Sequence, residues 1–400
     1  MKNKVLLLFV IVFTLNACKK ENVDPNVSER GKVIFSKEAG TSTVESLQAI
    51  FTLYDPILAA QIEFKYGVSS YSIIYETISH DGTEVQASGL LAVPDGMTVA
   101  APILSFQHGT ILKQDAVPTG TDQFVGLLGK AFGTEGYIVC MPDFLGLGDS
   151  EGLHPYMHAE SEATVTIDMI RAAKNKLDEL GISYNEKLFL AGYSQGGHAT
   201  MATHKAIEGD YSDEFTVTAS SPMAGPFDVS GIMAEIIMQK EEYIKPAFLP
   251  YMMYSYNLVY GIFTDLESNF VAPYNTILPP FFNGDNAYTL GEVGAEMPAI
   301  PSDILTEAAY NEIVDKTNTA FWAALEDNDL YDWHSSAPIR MFHCNGDVTV
   351  PRSNSEKALE SFLAKGITNV ELYNPLEGGT HRTCIVPSVF AAKEWFNTFK

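Results

Sequence analysis

Residues 187–209 read "KLFLAGYSQGGHATMATHKAIEG". This stretch constrains the fold more than any other. The apolar run Leu188–Ala191 predicts a short buried strand, and the small residues after Ser194, followed by helix formers, predict a helix with Gly209 as its stop. Between them lies Gly192-Tyr193-Ser194-Gln195-Gly196, a Gly-x-Ser-x-Gly turn. A strand that passes directly into a helix strains the turn residue, and side chains two positions before and after it would clash, hence the glycines. The serine stands at the strand's end beside a helix N-terminus, whose partial positive charge suits a developing oxyanion. Ser194 is therefore the candidate nucleophile.

The same five-residue pattern recurs at Gly148–Gly152, around Ser150. There the preceding strand, "YIVCM", ends at Met141, and Pro155 opposes a helix soon after the serine. Ser150 is read as a loop hydroxyl bonding nearby backbone.

Around this centre the chain alternates. Residues 42–65 carry a helical apolar pattern expected to pack beside a sheet. Strands are predicted at "YSIIYETI" and "VQASGLLAV", a pair joined by "SHDGT", then at "PILSFQHG" and "YIVCMPD". A long helix over 160–180 is closed by Gly181, and a strand at "EFTVTASSPMAG" follows the helix after Ser194. From about 226 to 336 the alternation gives way to a segment rich in Tyr, Phe and Met, such as "FLPYMMYSYNLVYGIF". It then resumes with strand "PIRMFHC", helix "RSNSEKALESFLAKG", strand "NVELYNP" and a terminal helix. Strands that are apolar throughout and alternate with helices imply an α/β fold, a mostly parallel sheet covered on both faces. The expected organisation is a core over 41–225 and 337–400, interrupted by a helical cap or lid insertion over 226–336. Most of the insertion's aromatics are expected to be its own packing. Tyr251, Tyr254, Tyr256 and Tyr260 fall on more than one helix face and define no stripe.

A serine hydroxyl needs a base to take its proton, and the base needs an acid to fix its tautomer. For a serine on a strand-to-helix turn the chain order is Ser, acid, His. The loop after a late strand, "CNGDVTVP", supplies Asp347, and the glycine-rich loop before the terminal helix, "EGGTH", supplies His381. His343 lies in a strand and is read as structural; His198 and His204 fall on the helix after Ser194 and cannot reach back over it. The oxyanion needs two N–H donors. One is expected from Gln195, the other from Thr110 or its neighbour in "QHGTILK". Metal-ligand spacing is absent, so no metal is expected. His154 and His158, with Pro155 between them, are read as a surface loop.

The set "GYSQGG", "QHGT", "PDFLGLGDS", "CNGDVTVP" and "GGTH" resembles the α/β-hydrolases and, more narrowly, the secretory lipase family, which includes lipase A-type enzymes and bacterial cell-wall esterases. The resemblance runs over about residues 70–400. It implies hydrolysis of carboxylic esters, no cofactor, and a cap that shapes the acyl or alcohol site. It also implies that Asp143, of the "PDF" motif, contributes to the oxyanion hole in competition with Thr110; a buried carboxylate that braces its loop is the other reading of Asp143. A serine peptidase of prolyl-peptidase type would use the same triad, and a non-catalytic surface binding module could keep the fold. A separate propeller domain is not evident, and the complete triad argues against the binding module.

The first residues read as processing, not fold. "MKNK" is basic, "VLLLFVIVFTL" is apolar but too short to span a membrane, and "LNAC" follows. This resembles a bacterial lipobox, implying a signal peptide over 1–17 and lipid attachment at Cys18, with 18–40 as a polar tether. The expected product is an exported bacterial lipoprotein at the outer membrane, cell surface or periplasm, touching membrane through that anchor alone. The net charge of −25 disfavours nucleic acid and anionic membrane as partners. The expected partner is a small-molecule, lipid or carbohydrate ester. Cys140, inside an apolar strand, is read as a buried thiol. Cys344 and Cys384 flank the proposed acid and base; two buried thiols are the expectation, because Cys344 follows a strand and is placed to point into the sheet. A bridge between the two is the alternative.

Overall fold

A computed structural model describes residues 29–54, 56–120 and 123–400. Among the described residues, nine strands form one sheet in the order β1-β2-β3-β5-β4-β6-β7-β8-β9. These are β1 (Val33–Ser42), β2 (Val68–Ile78), β3 (Glu84–Pro94), β4 (Ala101–Gln107), β5 (Ile138–Pro142), β6 (Tyr184–Tyr193), β7 (Val217–Met223), β8 (Ile339–Phe342) and β9 (Val370–Tyr373). The first three and the β3–β5 pair are antiparallel; from β5 to β9 all neighbours run parallel. The fold is the expected α/β arrangement.

The parallel centre is buried on both faces, which is why β4 and β5 read as continuous apolar runs. On one face Leu104, Phe106, Val139, Phe189 and Ala191 pack against the helices Val44–Tyr54, Gln123–Thr134 and Ile385–Asn397. On the other, Ile103, Ile138, Cys140, Leu188 and Leu190 meet the helices Ala159–Leu180 and Gln195–Gly209. Gly181 closes the former in the left-handed conformation. The expected strand pair and its turn are β2 and β3.

One boundary differs. Residues 33–40, read as tether, belong to β1, which pairs antiparallel with β2. Most β1 side chains are exposed. An edge strand needs backbone partners more than a buried face, so its polar composition gave no signal. The rest of the expected tether, together with Cys18 and the signal segment, lies outside the described residues apart from 29–32.

Between β7 and β8 the chain forms short helices around Phe248–Tyr260. They have their own core, including Tyr251, Met253, Tyr256, Leu278 and Phe321. Tyr251 stacks on Tyr156 at 4.4 Å. This segment sits on the loops that follow the strands. Tyr251 Oη donates to Ile111 O at 2.9 Å, Tyr256 Oη to Met157 O at 3.1 Å and Tyr243 Oη to Thr349 O at 2.6 Å. Most of these aromatics are packing.

Candidate active site

Ser194 follows β6 directly and caps the helix Gln195–Gly209 with φ 62° and ψ −122°. Positive φ on a residue with a β-carbon is strained and persists only where the surroundings enforce it. The glycines explain how. A β-carbon on Gly192 would lie 2.2 Å from Gly196 O, and one on Gly196 would lie 2.1 Å from Gln107 O. The turn is thus clamped against the end of β4, and Ser194 N–H is held by Met223 O of β7 at 3.0 Å.

The loops after β8 and β9 bring the proposed partners to the serine. His381 Nε2 lies 2.8 Å from Ser194 Oγ, and His381 Nδ1 lies 2.6 Å from Asp347 Oδ2. Asp347 Oδ1 accepts the N–H groups of Thr349 and Val350 at 2.9 and 3.0 Å. Burial of Asp347 opposes its charge, but hydrogen bonds from His343 and His381 prevail and hold its carboxyl well below the usual range. An anionic Asp347 accepting from Nδ1 leaves Nε2 free to accept the serine proton.

Cys344 and Cys384 are joined by a disulfide with Cα atoms 5.9 Å apart. The expectation of two thiols is corrected here. β8 ends at Phe342, so Cys344 lies in the loop beyond the strand rather than in the sheet. The acid and base loops also meet at glycines: a β-carbon on Gly346 would lie 2.6 Å from Gly378 O. Asn345 Oδ1 accepts Gly378 N–H at 2.8 Å. Cys140 is a buried free thiol, pushed up to about 12 by desolvation.

Of the oxyanion candidates, Gln195 is the first residue of its helix, so its N–H has no intrahelical acceptor. Thr110 lines the cleft at Ser194, and a β-carbon on neighbouring Gly109 would be 3.7 Å from Ser194 Cβ. Asp143 is different, and its assignment to the oxyanion hole is corrected. Its N–H is taken by Ser88 O, and its carboxylate accepts from Ser88 Oγ at 2.6 Å and from Thr119 N and Oγ1. It braces its loop. Ser150 Oγ accepts Gly146 N–H at 3.0 Å, a local role with no contact to His381 or Asp347 among the described residues.

Two cavities border Ser194. A cleft of about 270 Å³ is lined by Thr110, Ile111, Leu128, Leu290, His381 and others. A pocket of about 20 Å³ is lined by Gln195, Val229, Met233, Ile237, Met252 and others.

A family model described as secretory lipase matches residues 115–237. The fold superposes on a protein described as a hydrolase from Legionella pneumophila with TM-score 0.85 and 28% identity, covering 92% of this chain and 98% of that one. It superposes on the rice cell wall degrading esterase LipA from Xanthomonas oryzae with TM-score 0.80 and 27% identity, over 92% and 96% of the two chains. The protein has the α/β-hydrolase fold and resembles the secretory lipases. Candida antarctica lipase A, 18% identical, shares the fold with TM-score 0.68 over 93% of this chain and 83% of that one. No curated protein matches in sequence. The secretory lipase match includes Ser194, while Asp347 and His381 lie beyond it.

Several contacts around Ser194, His381 and Asp347 escaped the sequence reading. Tyr193 Oη donates to His381 O at 2.7 Å and so ties the base loop to the serine turn. His343 Nε2 lies 2.8 Å from Val350 O and 3.3 Å from Asp347 Oδ2. Behind the turn, the side chain of Gln195 donates to buried Glu162 at 2.8 Å, and Glu162 also meets His198 Nδ1 at 2.7 Å. His154 takes part through Gln195 Nε2 at 2.7 Å, and His158 meets Ser161 Oγ. Both histidines are buried, correcting the surface-loop reading; desolvation lowers them to about 3 and about 4. Glu162 stands two residues after Glu160 in "ESEATVTI", a mixed stretch that carries no signal of a buried acid.

Proposed function

We propose that the protein hydrolyses carboxylic esters through Ser194, His381 and Asp347. The observation that carries this reading is the continuous chain of contacts from Ser194 Oγ through both nitrogens of His381 to Asp347. His381 Nε2 takes the serine proton as Oγ attacks the ester carbonyl. Gln195 N–H, and an N–H of the Gly109–Thr110 loop, hold the oxyanion. His381 then protonates the leaving alcohol, and an acyl-Ser194 ester remains. Water, deprotonated by His381, attacks this ester, and the acid is released as His381 returns the proton to Ser194 Oγ. Asp347 keeps its charge throughout and stabilises the imidazolium. The reaction needs no metal or cofactor. The segment 226–336 caps the site, supported by its hydrogen bonds to the loops of Ile111, Met157 and Thr349.

We further propose export, cleavage before Cys18 and acylation of its sulfur, on the strength of the apolar run ending in "LNAC" and the secretory family match. No helix among the described residues is long and apolar enough to cross a membrane. Cys18→Ala should move the protein from the detergent to the aqueous phase; equal partitioning of both forms would sink the anchor.

The test of the activity is a fluorophosphonate probe followed by a panel of p-nitrophenyl esters and aminoacyl anilides. Labelling of Ser194 with ester turnover is expected. Anilide turnover alone would favour a peptidase, and absence of labelling a binding module.

A further inference from the structure

The two cavities that share Ser194 are unequal, and the chemistry assigns a side to each half of the ester. In the tetrahedral intermediate the carbonyl carbon carries Ser194 Oγ, the oxyanion, the leaving oxygen and the acyl chain. The oxyanion is fixed by Gln195 N–H and the Gly109–Thr110 loop. The leaving oxygen must lie within hydrogen-bond reach of His381 Nε2, which protonates it. His381 and the Gly109–Thr110 loop line the larger cleft and are not among the residues of the small pocket, which reaches Ser194 from the side of Gln195. The alcohol therefore leaves through the cleft, and the acyl chain is directed into the small pocket.

That pocket has room for little. Its volume of about 20 Å³ is close to the space of one water-sized sphere. Its walls are side chains of the segment between β7 and β8: Val229, Met233, Ile237, Phe248 and Met252, each 8% exposed or less. Opposite stands Val350, whose N–H is already bound to Asp347 Oδ1. A methyl group fits without displacement; each further methylene must push a packed side chain aside. On the cleft side Ile111, Leu128, Leu290 and Ile385 give an apolar wall of much greater extent, with exposed Lys245 among the lining residues.

We infer that the substrate is a short-acyl ester, an acetate above all, of a bulky and partly apolar alcohol, and that Met233 and Ile237 set the acyl limit. This rests on the ester-hydrolase reading given above. The test compares kcat/KM for p-nitrophenyl acetate, butyrate and octanoate, and separately for methyl acetate and octyl acetate, in the full-length protein and in Met233→Ala and Ile237→Ala. The expected result is acetate over octanoate by about tenfold or more, the scale of discrimination that a few methylenes support in an apolar pocket. Octyl acetate should be hydrolysed at least as well as methyl acetate, and each variant should narrow the acetate preference. Octanoate equal to or better than acetate in the unmodified protein would overturn the inference. So would an unchanged ratio in both variants while the fluorophosphonate probe still labels Ser194. Absence of turnover on every ester would instead sink the hydrolase reading itself.

Discussion

Replacing both Cys344 and Cys384 by alanine isolates what the bridge does. It closes a loop of sequence separation 40, which contains Asp347 and His381. In the chain-entropy model, freeing a loop of this length in the unfolded state costs about 4 kcal/mol at 25 °C. For a chain of this size, an unfolding entropy of about 2.1 cal/mol/K per residue gives roughly 0.8 kcal/mol/K, so the thermal midpoint should fall by about 5 °C. Activity is a separate matter. The loops keep Asn345 on Gly378, the close approach of Gly346 to Gly378, and Tyr193 on His381 O. Well below the midpoint, kcat should therefore fall by less than about tenfold, far from the several orders of magnitude expected when a triad member is removed. Calorimetry and ester kinetics on the double variant, with reductant-treated native protein alongside, read both quantities. A midpoint shift under about 1 °C would refute the loop-closure argument. A loss of kcat as deep as that of a His381 variant would show that the remaining ties do not hold the loops.

Ser194→Ala should abolish ester hydrolysis, while Ser150→Ala should retain it and lose about 1 kcal/mol of stability with its hydrogen bond; the reverse pattern in folded variants would exchange the two serines. Tyr193→Phe removes the hydroxyl that holds His381 O and should cost about 1 kcal/mol in the transition state, read as about a fivefold drop in kcat/KM with little change in KM. Asp143 is raised by desolvation from 3.8 to about 6, so the folded state keeps a proton that the unfolded chain releases. Its contribution to stability is full below 3.8 and is lost as pH rises through about 6, by up to about 3 kcal/mol. Asp143→Asn should flatten that part of the stability–pH curve, and an unchanged slope in urea titrations would count against a protonated Asp143.

The parts of the site legible in the sequence are those where local backbone chemistry dictates residue type. The glycines around Ser194 are forced by approaches near 2 Å, and the proposed acid and base follow from the order of strands. What stayed hidden depends on neighbours distant in sequence. Tyr193 could be read as an apolar strand residue, since its partner lies 188 positions away. Asp143 stood open between an oxyanion role implied by the resemblance and a loop brace, and its contacts with Ser88 of β3 and Thr119, distant in sequence, favour the brace. The disulfide turned on where β8 stops, a boundary that a four-residue strand does not announce. Edge strand β1 was missed because its stability rests on β2 rather than on its own side chains.

The parallel centre of the sheet explains why so dispersed a set of residues meets at all. β4, β6, β8 and β9 run the same way, so the loops that follow them open at one end of the sheet. Those loops carry the Gly109–Thr110 turn, Ser194, Asp347 and His381. An antiparallel neighbour would have sent alternate loops to the opposite end. The antiparallel pairs are confined to the other side of the sheet, among β1, β2, β3 and β5, whose loops include the Asp143 brace but none of the three proposed catalytic side chains. Ser194 holds its place at the strand's end at a cost of about 1–3 kcal/mol of backbone strain, and the surrounding contacts must supply it. They do so from two strand ends and a helix at once: Gln107 O against Gly196, Met223 O on Ser194 N–H, and Glu162 of the helix Ala159–Leu180 on the side chain of Gln195. Because these ties come from separate elements, loss of one leaves the turn held by the others. Loss of Gly196 is different: its missing β-carbon is the space into which β4 fits, so even Gly196→Ala must shift the turn against the end of β4, beside the Gly109–Thr110 loop proposed to complete the oxyanion site.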